Sequence, residues 1–295
     1  MNNISFVIPA YNCGNTIEES VDSIFNDNFT DGDEVIIVND GSSDNTSLVI
    51  DKIVKKYALN IIFVNNEINR GCPASRNIGI AKARNDLIFN LDSDNILDSG
   101  SIVKLKDALL SQSADVAAFK EYWYFKKSIY KITHKWICLD GVFSLADLFS
   151  GFFNPASGGN FLYKKDFYKK INGYWEYGKG LHEAWGFTLK LLVNDAKFIV
   201  VQNTHYFHRY SHESLFVREN KKKDEGIIIT NKFIEPALVL LSDESLEYVK
   251  SNQNWFNYLT ERPLILKNKI IGKNGKMVYC SIVKQLIYKL KSLIK

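Results

Sequence analysis

Asp92 and Asp94 stand two apart in the run Asn90-Leu91-Asp92-Ser93-Asp94-Asn95, at the end of an apolar segment, residues 86–91. Two carboxylates so placed suit Mg2+ or Mn2+, hard cations that take oxygen ligands and share them with a substrate phosphate. The plain alternative is a turn, because Asp, Ser and Asn are turn formers. Two further polar loops bear on the choice. Pro9-Ala10-Tyr11-Asn12 follows a first apolar run, and Asn39-Asp40-Gly41-Ser42-Ser43-Asp44-Asn45-Thr46 follows a second. Asp40 can accept from an N–H donor such as the imide of uracil, Gly41 would let the backbone approach a flat base, and Tyr11 could stack on it. Asp44 and Thr46 read better as helix-cap residues. The stretch Asn69-Arg70-Gly71-Cys72-Pro73-Ala74-Ser75-Arg76-Asn77 adds positive charge. Pro73 suits a first helical turn, and Arg76, one turn further in, carries a planar fork matched to a diphosphate.

The elements that would position these loops follow from hydrophobic periodicity. Residues 4–8, 34–38, 60–64 and 86–91 are apolar runs that read as buried strands, and residues 16–25, 46–57 and 73–83 carry helical spacing. In the second of these helices Leu48, Val49, Ile53 and Val54 form the apolar face. Strand and helix alternate, which predicts right-handed βαβ units and a Rossmann-like α/β fold, a mostly parallel sheet flanked by helices. In such a sheet the ligand sits beyond the carboxyl ends of the strands, where all three polar loops fall. Beyond about residue 110 the pattern loosens. Residues 114–125 and 197–201 read as strands, 145–149 and 185–193 as helices, and 151–159 as a loop of small residues. Residues 221–295 read as a helical C-terminal extension. The chain thus divides into a first half (1–110), a second half (111–220) and the extension (221–295).

At 295 residues with 46% hydrophobic and 24% charged residues, the chain can bury a full core. Four scattered cysteines without CxxC spacing suggest neither a zinc site nor a disulfide framework. The first residues lack the basic start and long apolar run of a signal peptide, and no apolar stretch reaches the length of a spanning helix. A cytoplasmic protein is expected. Residues 262–295 hold nine Lys or Arg and no acid, so the mildly acidic remainder argues against a nucleic-acid groove through the core.

Taken in order and at these separations, VIPAYN, VNDGSSDNT, NRGCPASRNIGIAKA and FNLDSDN resemble the family 2 inverting glycosyltransferases, with their A-type nucleotide-diphospho-sugar fold. The resemblance is specific over roughly residues 3–100. It continues more loosely through Ser157-Gly158-Gly159-Asn160-Phe161-Leu162-Tyr163 and Ile171-Asn172-Gly173-Tyr174 to about His212. It implies a nucleotide-sugar-binding half (1–110) for the donor and an acceptor-binding half (111–220) for a saccharide or lipid-linked saccharide acceptor. Pro9, Tyr11 and Asp40 would hold the nucleoside, with Ala10 and Asn12 beside them, Arg76 the diphosphate, Asp92 and Ser93 the ribose side, and Asp94 the metal. In this family an acidic residue at the start of a later helix acts as base on the acceptor hydroxyl, commonly the Asp of a Glu-Asp pair. Here the segment reads Leu181-His182-Glu183-Ala184-Trp185-Gly186-Phe187, so Ala184 occupies the Asp place and Glu183 is the expected base. His208, in Thr204-His205-Tyr206-Phe207-His208-Arg209, would complete the metal shell as a histidine often does in A-type enzymes. Gly159, Asn160 and Trp185 are the expected acceptor contacts, and Tyr174 is either a sugar platform or a core aromatic.

Two other readings compete. One is a sugar-nucleotide-binding protein of the same fold without catalysis. The other is a sugar-phosphate nucleotidyltransferase, which would open with a Gly-rich loop carrying Arg and Lys where this chain has Pro9-Ala10-Tyr11-Asn12-Cys13-Gly14. Residues 281–295 carry an apolar helical stripe with lysines largely off it. That stripe would pack on the body, on a second subunit, or in the interface of an anionic membrane at the inner face of the cell.

Overall fold

A computed structural model describes residues 2–57, 60–138, 140–144, 148, 155, 159–177 and 183–210, together with the backbone of 265–266 and 269–270. The first half alternates as the periodicity predicts: β1 (Ile4–Ala10), α1 (Ile17–Phe25), β2 (Glu34–Asp40), α2 (Thr46–Tyr57), β3 (Ile61–Asn66), α3 (Cys72–Lys82) and β4 (Leu87–Asn90). β5 (Ile96–Leu97), α4 (Ser101–Ser111), β6 (Val116–Phe125), β7 (Ile132–Ile137), β8 (Gly141–Phe143) and β9 (Phe161–Lys164) follow, then α5 (Lys165–Lys170), α6 (Glu183–Val193) and β10 (Phe198–Arg209).

β1 to β10 form one sheet in the order β3-β2-β1-β4-β9-β6-β10-β5, with β7 against β6 and β8 against β10. The first four strands are all parallel. β1, β2 and β4 are buried on both faces, which is why they read as unbroken apolar runs rather than as alternating ones, whereas β3 at the edge is only partly buried. The second half is mixed: β9 runs antiparallel to both β4 and β6, whereas β6 and β10 are parallel. This mixed character comes from short strands, β5 and β7 to β9, whose sequences carry little periodicity. The halves meet at the β4–β9 pair, where Ile88 lies opposite Tyr163 and Phe89 opposite Leu162. A single apolar core therefore runs under both, from Val7 and Ile36 through Phe89 and Phe119 to Phe161 and Phe198.

α1 buries Ile17, Val21 and Ile24, as its spacing requires. α2 buries Ile50 and Ile53, but Leu48 is 66% exposed, so the inward stripe is narrower than the apolar residues suggest. β10 extends to Arg209, so His205 and His208 belong to a strand, not to a loop, and face opposite sides of the sheet. His212, the helix expected at 145–149 apart from the buried Leu148, and nearly all of the C-terminal extension with its amphipathic tail lie outside the described residues. The exceptions in the extension are Ile265–Leu266 and Lys269–Ile270, a short antiparallel pair where the sequence reads as helix. Among the described residues no helix is long and apolar enough to cross a membrane.

Candidate active site

The loops after β1, β2 and β4 meet at the carboxyl edge of the parallel strands and are laced together by hydrogen bonds. The Asn12 backbone N–H donates to Ser42 Oγ, and Asn12 Oδ1 accepts from the Ser43 N–H. The Cys13 N–H donates to Thr46 Oγ1, and Thr16 Oγ1 donates to the carbonyl of Ser93. Asp44 accepts from the backbone N–H groups of Thr46 and Gly14, the capping role its position suggests. Tyr11 is 48% exposed, which leaves its ring available to a flat base. Pro9 is half-buried and Ala10 buried in β1.

Asp40 is almost wholly buried, and its carboxylate is already occupied. Oδ1 accepts from Asn66 Nδ2 and the Arg70 N–H, and Oδ2 accepts from the Gly71 N–H at 2.8 Å. The expected contact with a uracil imide is thus left only the remaining lone-pair direction of Oδ2. Gly41 serves the protein's own chain: at φ +66, a Cβ there would lie 2.7 Å from the carbonyl carbon of Ile68. The backbone it admits is that of residues 68–69, not a base. Arg70, held at its N–H by Asp40, keeps an exposed side chain at this rim.

Arg76 is placed otherwise than the sequence suggests. Its side chain is 2% exposed, Nη2 donates to Asp92 Oδ1 at 2.7 Å, and Nη1 pairs with Glu183 Oε1. The guanidinium also lies over the Tyr174 ring at 5.4 Å. Arg76, Gly79, Ile80 and Ala83 recur at helical spacing and are all buried, so this helix face turns inward and carries the arginine with it. The pairing joins residues from three distant segments. Asp92 is 26% exposed and Glu183 11%. Burial pushes the Glu183 carboxyl up while the Arg76 charge pulls it down, and the net direction is up. Glu183 Oε2 is buried and, among the described residues, has no N–H or O–H hydrogen-bond partner. The Cys72 thiol lies against the same carboxylate, and burial raises its pKa well above the usual thiol range.

Asp94 sits half-buried beside Asp92. Burial and the Asp92 charge push its pKa up to about 7, against the pull of Arg209. Asp92 is paired with Arg76, and Asp94 adds a second carboxylate beside it whose oxygen chemistry fits Mg2+ or Mn2+. Among the described residues no three His, Cys, Asp or Glu gather into a metal-ligating group, so His208 does not join the pair in one. Its ring lies on Tyr124, with Nδ1 3.4 Å from the Asn95 amide. Asn95 is a connector that the sequence reading left without a role. Its Nδ2 donates to Asp92 Oδ2 and its Oδ1 accepts from the Arg209 N–H, while Arg209 Nε donates to the Asp94 carbonyl.

The expected acceptor contacts are less open than their composition suggests. Gly159 and Asn160 are both buried, and Asn160 Nδ2 donates to the Asn90 carbonyl. Tyr174 is a core aromatic. It is 3% exposed, stacks on Phe187 at 3.9 Å, and accepts at its hydroxyl from Asn90 Nδ2. Trp185 is half-buried.

A family model described as Glycosyl transferase family 2 matches residues 5–172. The poly-beta-1,6-N-acetyl-D-glucosamine synthase of Staphylococcus epidermidis is 30% identical over 176 residues, 59% of this chain and 42% of that protein. The synthase of the same name from Staphylococcus aureus (strain MW2) is 40% identical over 95 residues, 32% of this chain and 22% of that protein. The chain therefore spans less than half the length of these relatives. Among solved structures, S. aureus TarS 1-349 in complex with UDP-GlcNAc aligns with a TM-score of 0.61 at 17% identity, covering 88% of this chain and 90% of that one. The mannosyltransferase PcManGT from Pyrobaculum calidifontis, in complex with GDP-Man and Mn2+, aligns with a TM-score of 0.62 at 13% identity, covering 88% and 70%. At such identities these two share the fold alone.

Proposed function

The chain belongs to glycosyl transferase family 2, and from that premise we propose that it moves a sugar from a uridine-diphosphate donor to a saccharide or lipid-linked saccharide acceptor, with inversion at the anomeric carbon. The observation that carries this reading is the Arg76 bridge, which brings the Asp92 loop and Glu183 together across the two halves of the sheet. The names of the two synthases make N-acetylglucosamine the first sugar to test.

Each residue then has a part. Tyr11 and Pro9 receive the nucleoside. Asp40 works mainly by fixing the loop of residues 69–71, which leaves the Arg70 side chain at the rim to meet the diphosphate. Arg76 holds Asp92 and Glu183 in place rather than contacting donor. Asp94, with Asp92 beside it, would hold a Mg2+ or Mn2+ ion, which offsets charge on a departing diphosphate when bound.

Glu183 supplies the base. One oxygen is tied to Arg76, and the other is the acceptor left for the hydroxyl proton. Burial raises its affinity for that proton toward the working pH, where a general base is most effective. As the proton moves to Glu183, the acceptor oxygen bonds to the anomeric carbon on the face opposite the diphosphate, and the bond to the diphosphate breaks. The basic residues 262–295 provide charge for meeting an anionic membrane surface on the cytoplasmic side, where a lipid-linked acceptor would be presented.

Thermal shift with UDP, GDP, UDP-GlcNAc and UDP-glucose, each with and without Mn2+, tests the donor reading. Ligands that bind the native state raise the midpoint by mass action. UDP compounds should raise it in a Mn2+-dependent way and GDP should not. A flat response to every nucleotide would sink the proposal.

A further inference from the structure

Residues 122–139 span the outer part of β6, the turn that follows it, and β7. They include Lys126, Lys127, Lys131 and Lys135 and no Asp or Glu. Outside this stretch and residues 262–295, acids outnumber bases. Lysines on an edge strand keep it from joining another edge, which accounts for Lys135 on β7. It pairs with Glu121 at 3.9 Å and lies over the Trp123 ring. Lys126, Lys127 and Lys131 lie in the turn instead. All three are exposed, and among the described residues none has a carboxylate partner.

The turn is an ordered one. The Lys131 N–H donates to the Ser128 carbonyl at 3.0 Å, and the Tyr130 N–H donates to Ser128 Oγ at 3.3 Å. Ile129 packs on the small apolar cluster of Ile96, Phe125 and Phe207. With Ile129 turned inward, its neighbour Tyr130 stands out and is 91% exposed. The place of this tip is as telling as its composition. β9 is antiparallel to both β4 and β6, so β6 ends at the same edge of the sheet as β4 and the Asp92 loop. Arg209 joins the two: Nε donates to the Asp94 carbonyl at 2.8 Å and Nη1 to the Lys126 carbonyl at 3.5 Å.

We propose that the β6–β7 turn is a docking surface for an anionic membrane, with Tyr130 at the bilayer interface and Lys126, Lys127 and Lys131 around it. A tyrosine joins an apolar ring to a polar tip and so favours the headgroup level of a bilayer. Lysines lay their stems along the apolar layer and keep their ammonium groups among the lipid phosphates. The acidic remainder of the chain is repelled by the same surface, so charge also fixes which end approaches. A soluble polyanion would attract the lysines equally but has no apolar layer to receive the ring. Docking at this edge brings the Asp92 loop to the bilayer, where a lipid-linked acceptor would be presented. That use of the surface rests on the transferase reading above, and the docking itself does not.

Hydrogen exchange on the full-length protein reads the contact directly. Vesicles of phosphatidylglycerol and phosphatidylcholine should slow exchange at residues 126–131 and leave α2 unchanged, and phosphatidylcholine alone should do neither. In co-sedimentation, K127Q/K131Q should weaken binding to the anionic vesicles about thirtyfold, and Y130S about threefold. Both variants change exposed turn residues, so UDP-GlcNAc hydrolysis in solution should match wild type. The proposal is overturned if residues 126–131 stay unprotected on anionic vesicles, or if the turn variants bind them undiminished. Protection by polyphosphate or an oligoadenylate as strong as that by vesicles would overturn it too. Protection by vesicles in a protein that hydrolyses no UDP-GlcNAc would instead count against the donor reading and leave the docking surface standing.

Discussion

Ala184 presents its methyl group to the backbone of Gly159, so closely that a Cβ on the glycine would stand 2.7 Å from the alanine Cβ. Gly159 also adopts φ +64, a conformation that side chains rarely take. The position that holds an Asp in the common family pattern is here a packing position, and its neighbour Glu183 is the residue turned to Arg76. Gly159→Ala should therefore cost about 1–3 kcal/mol of stability through strain and overlap together. Denaturant unfolding of Gly159→Ala, with and without Ala184→Gly, checks this. The double variant should recover the overlap part and keep the strain part. A Gly159→Ala protein as stable as wild type would show that the contact is not enforced.

Glu183→Gln keeps the shape of the side chain and one hydrogen bond from Arg76, while removing the proton acceptor. Donor binding should persist, and kcat should fall by ~10²–10⁴-fold. The pH profile separates this from a structural effect. The wild-type rate should rise with pH through the raised Glu183 pKa, since only the ionised form accepts a proton, and the Gln variant should lose that limb. Unchanged kcat would move the base to another group.

Metal affinity should depend on pH through Asp94. Its pKa of about 7 means that a proton and a cation compete for the same carboxylate near neutrality. Mn2+ binding in the presence of UDP should be full above that value and weaken about tenfold per unit as pH falls below it. In the metal-free protein the sign is opposite: a carboxyl with a raised folded pKa favours the fold at acid pH and gives this up as pH rises toward 7. Calorimetric titration with Mn2+ from pH 5.5 to 8 reads the first effect. Asp94→Asn should abolish this binding, and a slope independent of pH would refute the competition.

Arg70 and Asp40 should part company when each is changed. Arg70→Ala removes an exposed guanidinium at the crevice rim, so stability should stay within about 0.5 kcal/mol. The donor KM should rise roughly tenfold, the cost of one charge-assisted contact. Asp40→Asn replaces a buried acceptor of two backbone N–H groups and one amide, so it should lower stability by about 1–3 kcal/mol as well as weaken donor binding. Unfolding curves beside donor kinetics for both variants would show the split, and equal loss of stability in the two would contradict it.

The first half of the fold is legible in the sequence because β1, β2 and β4 are buried on both faces and its helices carry helical periodicity. Residues 46–57 match α2 end to end, and the three polar loops do converge. Arg76 shows where residue type misleads. An arginine in a polar stretch reads as a surface cation, whereas its spacing with Gly79, Ile80 and Ala83 marks the inward side of α3. Asp40 shows the same limit, since nothing local reveals that the N–H groups of Arg70 and Gly71 will claim its oxygens. In the second half, β7 and β9 are short and take their partners from strands already laid down, so their register is a tertiary fact. Trp136 and Tyr206, for example, are 70 residues apart in the chain and come to share one row of the sheet only through Tyr122 between them.

β6 divides one edge between two partners, with Val116 to Ala118 against β9 and Glu121 to Phe125 against β7. The inner stretch lies between β9 and β10, while the outer stretch lies between β7 and β10 and sends Tyr122 into the common core, so β7 itself is held by hydrogen bonds to β6. Sequence change in the hairpin, even a different turn length between Phe125 and Ile132, need not disturb the pairing of β9 with β4 beneath. A lineage could therefore vary β7 and its turn while the parallel strands beneath stay fixed, and a laboratory graft of residues 126–137 between relatives would follow the same seam.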